Sequence, residues 1–269
     1  HKAGEKAFVD YSGDKALVVD PQSGEVSEVE LFVAVLGASN FTYAEATCTQ
    51  KVRDWIASHI RAFEYFEGVT EVVVPDQLRS GVSRPCRYEP GIHRTYQDWA
   101  DHMDTVVIPA RPKKPKDKAK VEAGVLVVQR WILARIRNET FFSLQTLNDR
   151  IAELLEELND RPMKAYGDRS RRQMYELLDR PVLKPLPARR FEYADWLKAR
   201  VNIDYHVEVD RHYYSVHHTW LHQEVDVRLT GTTVEVFHND NHVWSHPRSY
   251  KPGRHTTVPE HMPKAHQAH

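Results

Sequence analysis

The sequence predicts an α/β chain, with a mixed five-stranded sheet and flanking helices followed by a small all-β barrel domain. Three observations carry that prediction. Apolar runs of strand length alternate with stretches of helical periodicity as far as Pro162; a stretch rich in Arg and Pro, from Pro162 to about Arg190, interrupts the pattern; beyond it only short alternating strands remain. The expected divisions are a core over residues 1–162, a basic linker over 163–195, a small β-barrel over 196–255 and a polar tail over 256–269.

Three strands open the core, KAFVDY, KALVVD and EVELFVAVLGA, with turn chemistry at Ser12-Gly13-Asp14 and at Pro21-Gln22-Ser23-Gly24, so the chain starts as a β-meander. Between Gln50 and Phe66 the apolar residues Val52, Ile56, Ile60 and Phe63 recur at helical spacing, and Gly68 is placed to end the helix. The β-branched run TEVVVP follows at once. A helix followed by a buried strand is half of a βαβ crossover, so TEVVVP is expected to pair parallel to an earlier strand and to bring Asp76 to a crevice. An irregular stretch through Cys86 and Pro90, a helix GIHRTYQDWADHM and a strand DTVVIP complete the order βββαβαβ. The segment ARPKKPKDKAK sets Arg111, Lys113, Lys114, Lys116, Lys118 and Lys120 against Asp117 alone, and its prolines are expected to keep it a basic, mobile loop until its end. A long helix from Ala119 to about Arg137 then carries Val121, Val125, Val128 and Ile132 along one face, and SLQTLNDRIAELLEELNDRP reads as a second amphipathic helix with Ser143 as its N-cap. After the linker, VNIDYHVEVDRHYYSV, EVDVRLTG, TTVEVFHND and NHVWSHPRSY alternate as the strands of a small barrel.

With 269 residues, 41% of them hydrophobic and 28% charged, the chain can form one large core or two smaller ones. No apolar run approaches the roughly 20 residues of a membrane helix, and HKAGEKAFVD lacks a signal peptide's apolar stretch, so neither a bilayer nor export is expected. Cys48 and Cys86 make neither a disulfide framework nor a four-thiolate zinc site; they fit a reducing compartment and are expected to be half-buried thiols. A net charge of -1 speaks against a uniformly basic protein that coats nucleic acid. The chain starts without a methionine and ends on PKAHQAH, and it reads as a piece of a longer protein.

Three carboxylates draw attention: Asp10 closing AFVD, Asp76 directly after EVVVP, and Glu122 in KAKVEAGVLVVQRW. Phosphodiester chemistry needs an activated water or hydroxyl, a stabilised leaving oxygen and neutralised phosphate charge, which two hard cations clamped by carboxylates supply. Magnesium suits such a ligand set, whereas zinc would recruit His or Cys. Alternatives stay open residue by residue. An Asp closing a strand is commonly a turn residue, as Asp14 and Asp20 are read here, and a Glu in a first helical turn is favoured by the helix dipole in any case.

Taken together, FVDYSGDKALVVD, VVVPDQLRSGV and KPKDKAKVEAGVLVVQRW, with 45 residues between Asp76 and Glu122, resemble the IstA-type DDE transposases of bacterial insertion sequences, members of the retroviral-integrase superfamily with an RNase H-like core. The likeness runs over about residues 5–250 and includes the barrel. It departs from the family at Gln77, usually Asn, and at Tyr11, usually Trp; neither is a ligand. The resemblance implies that Asp10 bridges two Mg²⁺ ions, that Asp76 holds one and Glu122 the other, and that Mn²⁺ can substitute. It further implies cleavage at the element's 3′ ends and transfer to target DNA, assembly of a dimer or more on DNA, and a partner AAA+ ATPase, IstB, engaged by the C-terminal region. It places the protein in the bacterial cytoplasm at the nucleoid. The family's N-terminal helix-turn-helix modules are not represented in this sequence.

The lysine-rich stretch before Glu122 is read as contacting the DNA backbone, against the plainer reading of a solvated charged segment. The linker cations Arg169, Arg171, Arg172, Arg189 and Arg190 carry the same two readings. Of the 16 histidines, 12 follow residue 200, yet His217, His218 and His222 lack a Cys or acidic partner at ligand spacing. Trp99, Trp131, Trp196 and Trp220 are expected to pack rather than to stack on bases. A structure-specific nuclease or resolvase on the same core, and an inactive DNA-binding remnant, are the rival readings. A two-carboxylate glycosidase is disfavoured by the basic segment beside Glu122.

Overall fold

The computed structural model describes residues 1–75, 82–84, 91–92, 94–110 and 115–264. The chain divides into two compact units, His1–Phe191 and Glu192–His269.

The first unit contains strands β1 (Lys6–Tyr11), β2 (Ala16–Val19), β3 (Val26–Leu36) and β4 (Thr42–Thr47), helix α1 (Val52–Tyr65), strand β5 (Val72–Pro75), the hairpin β6 (Val82–Arg84) and β7 (Gly91–Ile92), helix α2 (Arg94–His102) and strand β8 (Val106–Val107). Helix α3 (Pro115–Val128) passes through a π turn at Gln129–Leu133 into α4 (Ala134–Ile136), and α5 (Leu144–Asp160) follows, with Ser143 Oγ accepting the Thr146 N–H as its cap. Strand β1 runs antiparallel to β3 and parallel to β5, β5 runs parallel to β8, and β3 also pairs antiparallel with β2 and β4. The mixed sheet and the parallel placing of TEVVVP are as the sequence predicts. Among the described residues the sheet has six strands rather than five. The additional strand is β4, TYAEAT, whose alternating alanines lack the β-branched run by which a strand is recognised.

Strand β4 forms an edge that the fold closes with side chains. The Asn148 carboxamide accepts the Ala46 N–H at 2.6 Å and donates to the Ala46 carbonyl at 3.0 Å. Asn159, fully buried, does the same for Thr42 at 3.1 and 2.8 Å. The two amides of α5 stand in for a further strand, so the edge keeps no free ladder there.

Side-chain alternation divides the sheet's two faces. Tyr11 and Phe32, a cross-strand pair, join Trp55 and His59 of α1 and Tyr96 and Trp99 of α2 in an aromatic core. On the opposite face Val33, Val35, Ala44 and Ala46 pack with Val128, Ile132, Leu147, Ile151 and Leu155. After α5 come β9 (Pro162–Met163), β10 (Arg169–Ser170) and α6 (Arg171–Met174), the last begun by a reciprocal cap between Ser170 and Gln173. Buried Asp179 accepts the backbone N–H groups of Gly4 at 2.8 Å and Ser39 at 3.0 Å, and Tyr175 donates its hydroxyl to the Phe66 carbonyl at 2.6 Å.

The second unit contains β11 (Asp195–Arg200), β12 (His206–Val209), β13 (His212–Ser215), β14 (Glu224–Leu229), β15 (Thr233–His238), β16 (Asn241–Pro247) and β17 (His255–Thr256). It is all-β, as expected, and its core is Val201, Val207, Tyr214, Val225, Val227, Val234 and Val236. Among the described residues its strands pair as two sheets, β11-β14-β15-β16 and β12-β13-β17, and no closed ring of pairing joins them. Four buried histidines pin the returning segment. His206 and His212 bond the hydroxyls of Thr257 and Thr256 at 2.9 and 2.8 Å, His261 bonds Ser215 Oγ at 2.9 Å, and His246 donates to the Ser215 carbonyl at 2.7 Å. Burial pushes His261 down to about 4 and lowers His246 and His206 as well, so these rings are held neutral. Among the described residues no helix is long and apolar enough to cross a membrane.

His59 has the same character in the first unit. Its Nδ1–H donates to the Trp55 carbonyl at 2.7 Å, Nε2 accepts from the Tyr96 hydroxyl at 3.0 Å, and burial pushes the ring down to about 3. The unfolded chain therefore takes up a proton near pH 6.5 that the folded chain refuses. Stability is full above that pH and falls as the pH drops toward the folded value. Relative to His59→Gln, the parent is expected to lose about 2 kcal/mol more between pH 7 and pH 5 in chemical denaturation. Parallel pH profiles for the two proteins would refute the assignment.

Candidate active site

Asp10 is the penultimate residue of β1, half-buried, and its carboxylate accepts the Tyr11 N–H at 2.8 Å. Strand register fixes its direction. Phe8 lies opposite Val35 and Asp10 opposite Val33, so these four side chains share the sheet face away from the aromatic core. Tyr11 points the other way, into contact with Phe32 and Trp55, and burial pushes its hydroxyl up to about 12. A large aromatic at this position packs.

The parallel pairing of β1 with β5 ends on Val9 opposite Pro75. Asp10 is the next residue of β1. Asp76, which follows Pro75 in the chain, lies outside the described residues.

Helix α3 brings Glu122 over the same face as Asp10. Val125 packs against Phe8 and Val74, and Gln129 donates its side-chain N–H to Ser12 Oγ at 2.9 Å. The close approach rests on Gly124. A Cβ there would lie 2.4 Å from Cγ2 of the buried Val35. Mid-helix glycine costs roughly 1 kcal/mol relative to alanine, so its presence is understood by the absence of room for a side chain. Glu122, less than one turn before Val125, is exposed. The helix that carries Glu122 thus lies over the sheet face toward which Asp10 is directed.

The donor set is all oxygen, which suits a hard cation such as magnesium. The described residues contain no group of three His, Cys, Asp or Glu able to hold a metal, and that includes His217, His218 and His222. Of the basic segment, Lys116, Lys118 and Lys120 lie on α3, which begins at Pro115 rather than at Ala119. Proline is compatible with the first helical position because its missing N–H would have no partner there. Arg111, Lys113 and Lys114 lie outside the described residues. Cys48 is exposed rather than half-buried, and Cys86 lies outside the described residues. Sequence reasoning passed over Ser12, Gly124 and Gln129, of which only Gly124 gave a signal, as a glycine inside an apolar helical run.

Several known proteins are similar to the chain. Residues 186–258 match the family described as Mu transposase, C-terminal domain. A putative transposase for insertion sequence IS408 of Burkholderia multivorans is 52% identical over 269 residues, covering 100% of this chain and 52% of that protein. One for insertion sequence IS1162 of Pseudomonas fluorescens is 51% identical, covering 100% of this chain and 48% of that protein. The transposase for insertion sequence element IS21 of Pseudomonas aeruginosa is 25% identical over 241 residues, covering 89% and 61%. The chain spans about half the length of the first of these relatives. Among solved structures, the HTLV-2 integrase catalytic core domain in complex with magnesium gives a TM-score of 0.46 at 11% identity, covering 65% of this chain and 97% of that one. A simian T-cell lymphotropic virus intasome gives 0.49 at 12%, covering 90% and 76%.

The seating of α3 can be tested directly. Gly124→Ala is expected to cost about 1–3 kcal/mol by overpacking against Val35, despite alanine's higher helix propensity. Adding Val35→Ala should recover at least about 1 kcal/mol of it in a double-mutant cycle of urea unfolding. Strict additivity of the two substitutions would show that the helix does not rest on that contact.

Proposed function

We propose, from the similarity of this chain to insertion-sequence transposases, that it comprises the catalytic core and C-terminal domain of a DDE transposase, a polynucleotidyl transferase that cuts the 3′ ends of its element and joins them to target DNA. What supports the reading is the seating of α3, the helix that bears Glu122, over the sheet face toward which Asp10 of β1 is directed, through the pairing of β1 with β3 and the close approach at Gly124. Asp76 is proposed as the third carboxylate.

The three carboxylates would hold two Mg²⁺ ions, for which Mn²⁺ can substitute; bound there, the ions would activate a water or 3′-hydroxyl and neutralise the phosphate under attack. The residues of the chain do the positioning. The Tyr11 N–H orients the Asp10 carboxylate. The Gln129–Ser12 hydrogen bond ties the far end of α3 to the end of β1, which limits rotation of the helix that carries Glu122. Arg111, Lys113, Lys114, Lys116, Lys118 and Lys120 are proposed to hold the backbone of transposon-end or target DNA beside the carboxylates, each neutralised phosphate releasing counterions. The whole protein is proposed to work as a dimer or larger assembly on DNA in the bacterial cytoplasm, at the nucleoid, with a helper ATPase of the IstB type.

A nuclease or resolvase on the same core would hydrolyse DNA without joining it, so joining is the discriminating readout. With the intact protein, a pre-cleaved element end and plasmid DNA, Mg²⁺- or Mn²⁺-dependent joining is expected, falling at least about a hundredfold in Asp10→Asn and in Glu122→Gln. Nicking without joining would favour the nuclease. Joining that survives both substitutions would overturn the assignment of the carboxylates.

A further inference from the structure

A second concentration of chemistry lies in the first unit, away from the carboxylates. An open cleft of about 450 Å³ is lined by Val127, Arg130, Trp131, Leu158, Arg161, Pro162, Met163, Lys164 and Arg171. The π turn after α3 supplies Arg130 and Trp131, the end of α5 supplies Arg161, and the short segment leading to α6 supplies Lys164 and Arg171.

The surrounding carboxylates are already engaged. Arg172 takes both Glu156 and Asp160, and Arg135 takes Glu157 at 2.5 Å. Arg130, Arg161, Lys164 and Arg171 therefore have no carboxylate partner among the described residues. Arg171 donates to the Leu158 carbonyl at 3.2 Å. Burial, and then repulsion from Arg161, lower its affinity for its own proton. The C-terminal end of α5 accounts for part of this placement, but a helix end offers only about half an elementary charge, against four cations. Trp131 adds a flat wall: its indole N–H donates to the Leu154 carbonyl at 3.1 Å, and the Arg135 and Arg161 guanidinium carbons stand 3.7 and 4.6 Å from the ring centroid.

Cations held together without counterions are destabilised by one another and by partial burial, a cost that a bound polyanion relieves. We infer that this cleft binds the phosphate backbone of DNA, as a second phosphate contact on the helix that carries Glu122. The inference rests on the transposase reading for the identity of the polyanion. Arg130 follows Glu122 by eight residues, about 12 Å along a helix axis. A few nucleotides of one strand span that distance, so one strand can occupy the carboxylates and the cleft together.

The test is the salt dependence of duplex binding by the chain, read by fluorescence anisotropy in EDTA so that the metal-binding carboxylates play no part. Arg130→Gln with Lys164→Gln, both exposed positions, should weaken binding about tenfold or more near 0.1 M salt and reduce the slope of log K against log salt by about two, with the melting temperature unchanged. Arg171→Gln should act in the same direction, and because it is half-buried its folding is checked by circular dichroism. Unchanged affinity and slope in the double variant would overturn the inference. So would an acidic peptide of equal charge that competes as well as DNA. If the parent joins DNA while the double variant keeps the full salt slope, the transposase reading stands and the cleft falls; if the slope drops but the parent joins nothing, the cleft stands and the transposase reading falls.

Discussion

The seating of α3 on the sheet is the constraint on which the rest of the first unit depends. A helix can approach a strand this closely only where one of the two presents no side chain, and Gly124 over Val35 is that place. Once the backbone is down, Val125 reaches Phe8 and Val74, which belong to adjacent parallel strands, and Gln129 reaches Ser12 beyond the end of β1. These contacts fix the helix in both translation and rotation. Glu122 thereby inherits its position from packing several residues away rather than from a contact of its own.

The two faces of the sheet divide the labour. The face toward α1 and α2 is an interlocked aromatic core in which His59 is kept neutral by burial. Within that core Tyr11 anchors the end of β1 beside the half-buried Asp10 carboxylate. The opposite face is aliphatic, with small residues on β4, so that α5 can lie close enough for Asn148 and Asn159 to close the sheet's edge. An edge closed by side chains cannot accept a foreign strand at those positions.

Charge is arranged with the same economy. Along α5, Glu156, Glu157 and Asp160 are matched to Arg172 and Arg135. The cations that remain gather at one end of that helix, on the side reached by the helix bearing Glu122. A chain with a net charge of -1 can thus present locally concentrated positive surface, while the rest of the molecule balances. In the second unit histidines do a structural task instead: their ring nitrogens hold the returning segment by hydroxyl and carbonyl groups.

The sequence by itself determined the elements that carry a local pattern and the identity of the candidate carboxylates. The short apolar runs at KAFVDY and TEVVVP and the helical spacing of Val52, Ile56, Ile60 and Phe63 report their own local structure, because a short β-branched run suits a buried strand and 3.6-residue periodicity follows from which side of a helix is buried. Strand β4 escaped because TYAEAT owes its pairing to β3 and to two asparagines more than a hundred residues away, which no local pattern records. The start of α3 at Pro115 was hidden by a residue that usually stops helices and is tolerated only at their first turn. Tertiary structure alone decided that Asp10 faces the helix of Glu122, since a shift of one residue in the register of β1 would turn it into the aromatic core. It also decided which arginines remain available. Arg171 and Arg172 are neighbours in sequence and alike in chemistry, and only the fold gives one a pair of carboxylates and the other none.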